Sequence, residues 1–221
     1  MNFLLAFVEN QCIKYGIDES HGVKHARSTW IRALEILQTL PDVREDEKRV
    51  ALYSAALHDT CDSKYCPVYE ASLDIRDFLL DLHMEPEEIQ AVLDIVTTMS
   101  YSKLKKSMVN GAIQYPDHGK WQRAYDVARN ADLLDAYIVA RCVIYNRHIY
   151  PEKTEDEHWA RAEQLFNQRI FTYVSDGWIN LPGALAMVPG LEQEARRCLR
   201  DRSMDWPELG IPIEKIDFKW P

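Results

Sequence analysis

Apolar residues recur at helical spacing along most of this sequence, and strand-like alternation of apolar and polar residues is hard to find. Glycine is sparse as well, with 8 residues among 221. A chain of this length with 47% hydrophobic residues can bury one sizeable core. The pattern therefore predicts an all-α fold built as a single domain over residues 1–221.

Prolines, glycines and capping residues divide this periodic pattern into separate helices. We expect helices at residues 2–14, 21–40, 45–59, 67–83, 86–99, 119–148, 154–174 and 190–202. A polar loop is expected at 100–118 and a packed but irregular segment at 175–190. The tail after residue 202 is expected to be extended and draped over the body.

The charge balance limits the partners of the chain. With 26 basic and 35 acidic residues, the formal net charge is −9. Such a field argues against nucleic acid as an obligate partner. A phosphorylated ligand would need a local cluster of cations or a metal ion. The sequence leaves a homodimer open.

The distribution of apolar residues and cysteines bears on the compartment. No run approaches the roughly 20 apolar residues that cross a bilayer. The N-terminal block MNFLLAFVEN lacks a basic region and is interrupted by Glu9, so we expect a helix rather than a signal peptide. The five cysteines are odd in number and scattered, which is typical of reduced thiols in a cytoplasmic protein. We therefore expect a cytoplasmic protein without a membrane partner.

Three short stretches carry clustered imidazoles and carboxylates. His21 and His25 are four residues apart and share a helix face. His58 and Asp59 end the apolar run ALYSAALHD, and they can reach one ion only beyond the last turn, because successive helical residues diverge by about 100°. Asp132 lies on a packed helix face. Two imidazoles and two carboxylates suit Mn²⁺, Fe²⁺, Co²⁺, Ni²⁺ or Zn²⁺, and suit Mg²⁺ less well.

The motifs SHGVKHAR, ALHDTCDSK and NADLLDA resemble, in that order, the H…HD…D pattern of HD-domain metal-dependent phosphohydrolases. The resemblance implies a helical bundle with its metal-site core at about residues 15–145, followed by C-terminal helices and a tail at about 150–221. It also implies one divalent metal ion bound by His25, His58, Asp59 and Asp132. DESHGVKHAR and LHDTCDSK are most similar to the small single-domain HD nucleotide pyrophosphohydrolases and phosphatases.

The resemblance also suggests roles for neighbouring residues. Asp62 would orient or deprotonate the attacking water, and Lys64 would neutralise a nonbridging phosphate oxygen. The alternative for this pair is a solvated turn. His21 would support the ligand His25 or protonate the leaving group.

Two further cations are candidates for contact with substrate. Arg129 would face phosphate or support the metal ligands, with an ion pair to Asp132 as the alternative. Lys103 would face phosphate from the loop, with a solvated lysine as the alternative. Asp135 is expected to be structural, as the partner of a cation or as a helix cap.

The function implied by the resemblance is metal-assisted hydrolysis of a small phosphorylated substrate, most simply a nucleotide that releases pyrophosphate or phosphate. Residues 137–143 and 175–190 depart from the subfamily pattern. Two alternatives therefore stay open. One is a hydrolase of a non-nucleotide phosphoester, and the other is a catalytically silent module that binds a nucleotide or a partner.

Overall fold

The computed structural model describes residues 2–207 and residue 209, and this part of the chain is all-α, as the sequence predicts. It contains no strand, and its one isolated β-bridge joins Val109 to Ala112. The helices are α1 (Asn2–Tyr15), α2 (Val23–Leu37), α3 (Glu45–Leu57), α4 (Val68–Asp81), α5 (Pro86–Thr98), α6 (Tyr101–Lys106), α7 (Gln122–Asp135), α8 (Val139–Ile149), α9 (Glu155–Gln168) and α10 (Pro182–Asp201). Short 3₁₀ segments lie at Glu19–His21, His58–Cys61, Gly119–Trp121 and Ile170–Thr172.

Helices α2, α3 and α7 form the centre of the bundle. Their contacts are lined by fully buried small residues, which allow the backbones to approach closely. These include Ala33, Ala51, Ala55, Ala124, Ala128 and Ala131. All ten helices contribute to one continuous hydrophobic cluster among the described residues.

The predicted helix at 119–148 is wrong, because the structure has two helices there, α7 and α8. Tyr137 and Ile138 donate to carbonyls three residues back, and Ile138 has extended backbone angles. No glycine or proline marks the break. The new direction of α8 instead allows Arg141 to donate to the Ser20 carbonyl on another element at 2.8 Å.

Two irregular segments predicted from the sequence contain helices instead. The predicted loop at 100–118 begins with α6, whose Leu104 is buried in the core. The predicted irregular segment at 175–190 contains the first half of α10, which begins at Pro182 and continues through Pro189. Proline at a first helical position has its φ already suited to a helix, so Pro182 starts α10 instead of preventing it.

Smaller differences occur at helix ends. The predicted helix at 45–59 ends at Leu57 and continues as the 3₁₀ segment His58–Cys61. Most of the predicted extended tail lies outside the described residues. In the described part of the chain, no helix combines the length and apolar character needed to span a bilayer. All five cysteines are free thiols, and four of them are buried.

Candidate metal centre

Two imidazoles and two carboxylates converge at the centre of the bundle. The Nε2 atoms of His25 and His58 are 3.2 Å apart. Asp59 Oδ2 lies 3.2 Å from the first and 3.3 Å from the second of these nitrogens. Asp132 Oδ1 lies 3.5 Å from His25 Nε2 and 3.4 Å from His58 Nε2. Atoms bound about 2.1 Å from one cation would themselves be separated by about 3.0–3.4 Å, so these spacings fit a shared ion.

The three residues His25, His58 and Asp132 form the tightest set, with ligand atoms that all lie within 4.8 Å of one another. This buried group could hold a metal ion. Asp59 is not part of that mutually close set. Its Oδ2 lies 3.2 Å from His25 Nε2 and 3.3 Å from His58 Nε2.

Each ligand comes from a different part of the central bundle. His25 lies in the first turn of α2, and Asp132 lies in the last turn of α7. His58 and Asp59 lie in the 3₁₀ segment that follows α3. Successive residues of a 3₁₀ segment diverge by about 120°, so the two neighbouring side chains can reach the same point only beyond the helix end, where His58 Nε2 and Asp59 Oδ2 lie 3.3 Å apart.

The Nδ1 atoms of both histidines already have acceptors. His25 Nδ1 lies 2.6 Å from Asp135 Oδ2, and His58 Nδ1 lies 2.9 Å from the Ala55 carbonyl. A carbonyl or carboxylate oxygen accepts, so Nδ1 carries the proton in both rings. The Nε2 atoms are therefore the available ligand atoms, in the arrangement that metal-bound histidines usually have.

Asp59 supplies the strongest indication that a cation belongs here. Its Oδ2 is buried and has no hydrogen-bond partner. A buried carboxylate oxygen without a partner is costly, and a cation between the imidazoles and carboxylates would remove that cost. Burial raises the pKa of Asp59 and Asp132, but the positive charge that His58 carries when no cation is bound outweighs it and holds both pKa values well below their usual range. Both carboxyls are therefore ionised and ready to bind a cation.

A second layer of contacts fixes the His25 ring. Asp135 is fully buried and accepts hydrogen bonds from His25, Ser28 and Arg141, the last at 3.3 Å. Asp135 thus has the cation partner expected from the sequence. It also holds the His25 tautomer, which the sequence did not indicate.

A cavity of about 310 Å³ opens onto the ligand cluster. Its wall includes His58, Asp59 and Asp132, while His25 lies behind them with no exposed surface. The same wall brings together the three predicted catalytic residues, His21, Asp62 and Lys64. The cavity therefore contains every residue of the predicted catalytic set.

The turn after His58–Cys61 sets the positions of Asp62 and Lys64. Asp62 Oδ1 accepts from the Lys64 backbone N–H at 2.9 Å, which closes a tight turn. Lys64 Nζ lies 3.9 Å from Asp59 Oδ1, and its ammonium also lies over the ring of Tyr65. The lysine charge is thus held beside the ligand cluster, with part of its side chain open to the cavity.

His21 is held by Asp18 at the rim of the cavity. Its Nδ1 lies 3.1 Å from Asp18 Oδ2 and 2.8 Å from the Tyr65 hydroxyl. Burial lowers the pKa of His21 despite the nearby carboxylates, so the ring is neutral at neutral pH. From this position the ring can contact water or substrate, and its predicted role as a leaving-group acid stays a prediction.

The structure does not place Arg129 or Lys103 among the described residues that line the cavity. Arg129 is 1% exposed and donates to the Trp178 carbonyl and to Asn180 Oδ1, so it ties α7 to the segment before α10. Its ion-pair partner in the described part of the chain is Asp126, at 3.5 Å, and not Asp132. Lys103 donates to the Thr97 carbonyl at 2.8 Å. Both cations are used by the fold, which corrects their predicted contact with substrate.

Two arginines that the sequence analysis did not single out line the cavity instead. Arg141 comes from α8, and Arg169 from the end of α9. Arg141 lies in YIVARCV, a segment noted only for departing from the subfamily pattern. The sequence could have indicated that Arg141 points into the cavity only through a helix break after α7. No glycine or proline signals such a break.

Comparison with protein-family models, with curated proteins and with solved structures found no match to this chain.

Proposed function

We propose that this protein is a divalent-metal-dependent phosphohydrolase of the HD type that acts on a small phosphorylated substrate, most simply a nucleotide. One observation carries the proposal. Two imidazole Nε2 atoms and a buried, unpartnered carboxylate oxygen meet at the wall of a cavity that also holds Asp62 and Lys64. The order of the motifs, which resembles H…HD…D, supports the same assignment.

His25, His58, Asp59 and Asp132 would hold the ion. When bound, a divalent cation activates water and polarises a phosphoryl oxygen. The donors are nitrogen and oxygen without thiolate, which favours Mn²⁺, Fe²⁺, Co²⁺, Ni²⁺ or Zn²⁺ over Mg²⁺. We take Mn²⁺ as the first ion to test, because it accepts this mixture of ligands and keeps positions open for water and substrate.

The other cavity residues have distinct tasks in the proposed reaction. Asp62 accepts a proton from the attacking water or orients it. Lys64 places a positive charge beside Asp59, where it stabilises charge on the equatorial phosphoryl oxygens. His21, fixed through Nδ1 by Asp18, positions substrate or water as a neutral ring.

A substrate screen tests the proposal. Nucleoside mono-, di- and triphosphates are incubated with the protein and Mn²⁺, Ni²⁺, Co²⁺ or Mg²⁺, and released phosphate and pyrophosphate are measured separately. A set of sugar phosphates and cyclic nucleotides covers the non-nucleotide and signalling alternatives. His58→Ala is the blank, and His148→Ala is the matched control, because His148 is exposed and lies outside the cavity.

We expect release that requires metal, disappears in His58→Ala and persists in His148→Ala. Pyrophosphate from triphosphates would select a pyrophosphohydrolase, and phosphate from monophosphates a nucleotidase. Metal and nucleotide binding without release from any substrate would reject the hydrolase and favour the silent binding module.

A further inference from the structure

The two arginines that line the cavity differ in how the fold uses their charge. Arg141 donates to the Ser20 carbonyl and pairs with Asp135, so its charge is balanced. Arg169 has no carboxylate within 4.0 Å among the described residues. Within the same part of the chain, its one hydrogen bond runs from Nε to the Tyr173 hydroxyl, at 2.7 Å.

Arg169 is nevertheless held in a fixed orientation. Its guanidinium carbon lies 3.5 Å from the centroid of the Tyr101 ring, and Tyr101 also lines the cavity. Apart from the stacking on this ring and the bond to Tyr173, both terminal nitrogens, Nη1 and Nη2, have no acceptor among residues 2–207 and 209. A guanidinium held this way presents a planar pair of donors, the arrangement that matches two oxygens of a phosphate.

Lys64 and Arg169 occupy different positions in the cavity. Lys64 Nζ lies 3.9 Å from Asp59, beside the ligand cluster. Arg169 lies beyond 4.0 Å from Asp59, Asp62 and Asp132, on the wall formed by α6, α9 and Tyr173. A substrate with two phosphoryl groups could place one beside Lys64 and the other at Arg169.

We propose that Arg169 binds a second anionic group of the substrate, so that the site selects compounds with two or more linked phosphoryl groups over monophosphates. This inference rests on the proposed function for the position of the first phosphoryl group. It identifies the substrate class as a nucleoside di- or triphosphate or another phosphoanhydride. The stacked, unshared guanidinium is the residue that makes the distinction.

Binding of non-hydrolysable probes tests the proposal without turnover. The full chain in Mn²⁺-containing buffer is titrated calorimetrically with methylenediphosphonate and, separately, with inorganic phosphate. Titrations of each probe into the same buffer without protein correct for binding of Mn²⁺ by the probe. The variants are Arg169→Met, Arg169→Lys and the matched control Arg161→Met. Arg161 is also on α9 and is stacked on a tyrosine, at 4.0 Å, but it is exposed and lies outside the cavity.

We expect Arg169→Met to weaken methylenediphosphonate binding about tenfold or more and to change phosphate binding little, because it removes a charge-assisted interaction with the second group only. Arg169→Lys should weaken methylenediphosphonate binding less, since lysine keeps the positive charge but lacks the planar pair of donors. Arg161→Met should bind both probes as the unchanged protein does. Thermal melting identifies any variant that fails to fold. If Arg169→Met does not fold, binding of the two probes by Arg169→Lys tests the proposal in its place.

Equal weakening for both probes would overturn the proposal, since Arg169 would then act at the first phosphoryl position. Unchanged diphosphonate binding in Arg169→Met would overturn it as well. The hydrolase proposal fails separately. If no substrate is hydrolysed but diphosphonate binding still depends on Arg169, the proposed anion site is supported and the proposed hydrolysis is rejected.

Discussion

The Nε2 atoms of His25 and His58 lie 3.2 Å apart, although neither imidazole is free to turn. Asp135 holds one ring through Nδ1, and the Ala55 carbonyl holds the other. Two bare nitrogen lone pairs at this distance repel each other, unless a proton or a cation lies between them. In the proposed site, the carboxylates of Asp59 and Asp132 would complete the surroundings of a divalent cation.

Removal of one ligand should therefore remove the ion. We expect Asp59→Ala and His58→Ala to retain no divalent metal after dialysis, measured by mass spectrometry of the protein. Asp62→Asn is the control, because it lines the same cavity without belonging to the ligand cluster. That variant should keep its metal while losing activity by about 10²–10⁴-fold. A full complement of metal in Asp59→Ala would refute the assigned ligands.

Metal binding should also stabilise the fold. At a free metal concentration about 100-fold above Kd, binding adds about 2.7 kcal/mol to the free energy of unfolding. For a chain of this size, that corresponds to a rise in Tm of about 5–10 °C. Differential scanning calorimetry with EDTA and then with excess Mn²⁺ measures the shift. The same shift in His58→Ala would show that Mn²⁺ acts elsewhere on the protein.

Asp135 should tune the affinity for metal without binding the ion itself. Asp135→Asn weakens the acceptor of the His25 Nδ1 proton, and we expect the metal Kd to rise about 10- to 100-fold. Competition with a fluorescent chelator gives this value. Asp126→Asn, on the same helix and paired with Arg129, is the matched control. If the two variants bound metal equally well, the role of Asp135 in positioning His25 would be excluded.

An ion pair away from the cavity makes the stability depend on pH. Glu47 is 2% exposed and receives two hydrogen bonds from Arg123. Burial raises the pKa of Glu47, but the bonds and charge of Arg123 outweigh it, and the pKa is lowered. A carboxyl with a lowered pKa in the folded state stabilises the fold above its unfolded pKa, about 4.3, and this stabilisation is lost as the pH falls below that value.

We therefore expect Glu47→Gln to lower the free energy of unfolding by about 1.5–3 kcal/mol at pH 7. The difference from the unchanged protein should narrow below about pH 4.3, and denaturant unfolding over a pH series measures it. Glu45→Gln, at an exposed position of the same helix, should behave like the unchanged protein at every pH. A constant difference for Glu47→Gln across the series would exclude ionisation as its cause.

Two glycines of α10 offer a test of the packing between α10 and the end of α2. A Cβ on Gly183 would overlap Thr39 Oγ1, which is itself bonded to the Ile36 carbonyl. Gly183→Ala should therefore cost about 1–3 kcal/mol by overpacking. A Cβ on Gly190 meets nothing within 4 Å, so Gly190→Ala should stabilise the helix by about 0.8–1 kcal/mol. Thermal unfolding compares the two, and equal effects would contradict this packing.

Comparison of the sequence with the structure shows which signals are local. Helical periodicity was sufficient for the all-α class, because each helix carries its own apolar face. The end of α7 was not predictable, since the residues around Ala136 contain neither glycine nor proline. That break depends on tertiary contacts such as the bond from Arg141 to the Ser20 carbonyl.

The arginines show the same limit within the candidate site. Arg129 shares a helix face with Asp132 in the sequence pattern, yet its guanidinium reaches Trp178 and Asn180. Arg169 follows no recognisable motif, yet it lines the cavity. A helical repeat identifies which residues share one face of a helix. It does not identify which other part of the chain packs against that face, and the contacts of a side chain there depend on that packing. The motifs therefore located the ligand cluster better than they located the cations around it.

The spread of the ligands along the chain has a consequence for protein synthesis. His25 and His58 leave the ribosome well before Asp132, which lies in the last turn of α7. Domains fold as units as the chain emerges at about 5–20 residues per second, so the two histidines wait several seconds for their last partner. The complete ligand set cannot exist on a nascent chain until α7 has emerged and packed against α2 and α3. If the proposed ion binds here, its loading would therefore follow the packing of α7, and a chain arrested before α7 would lack Asp132.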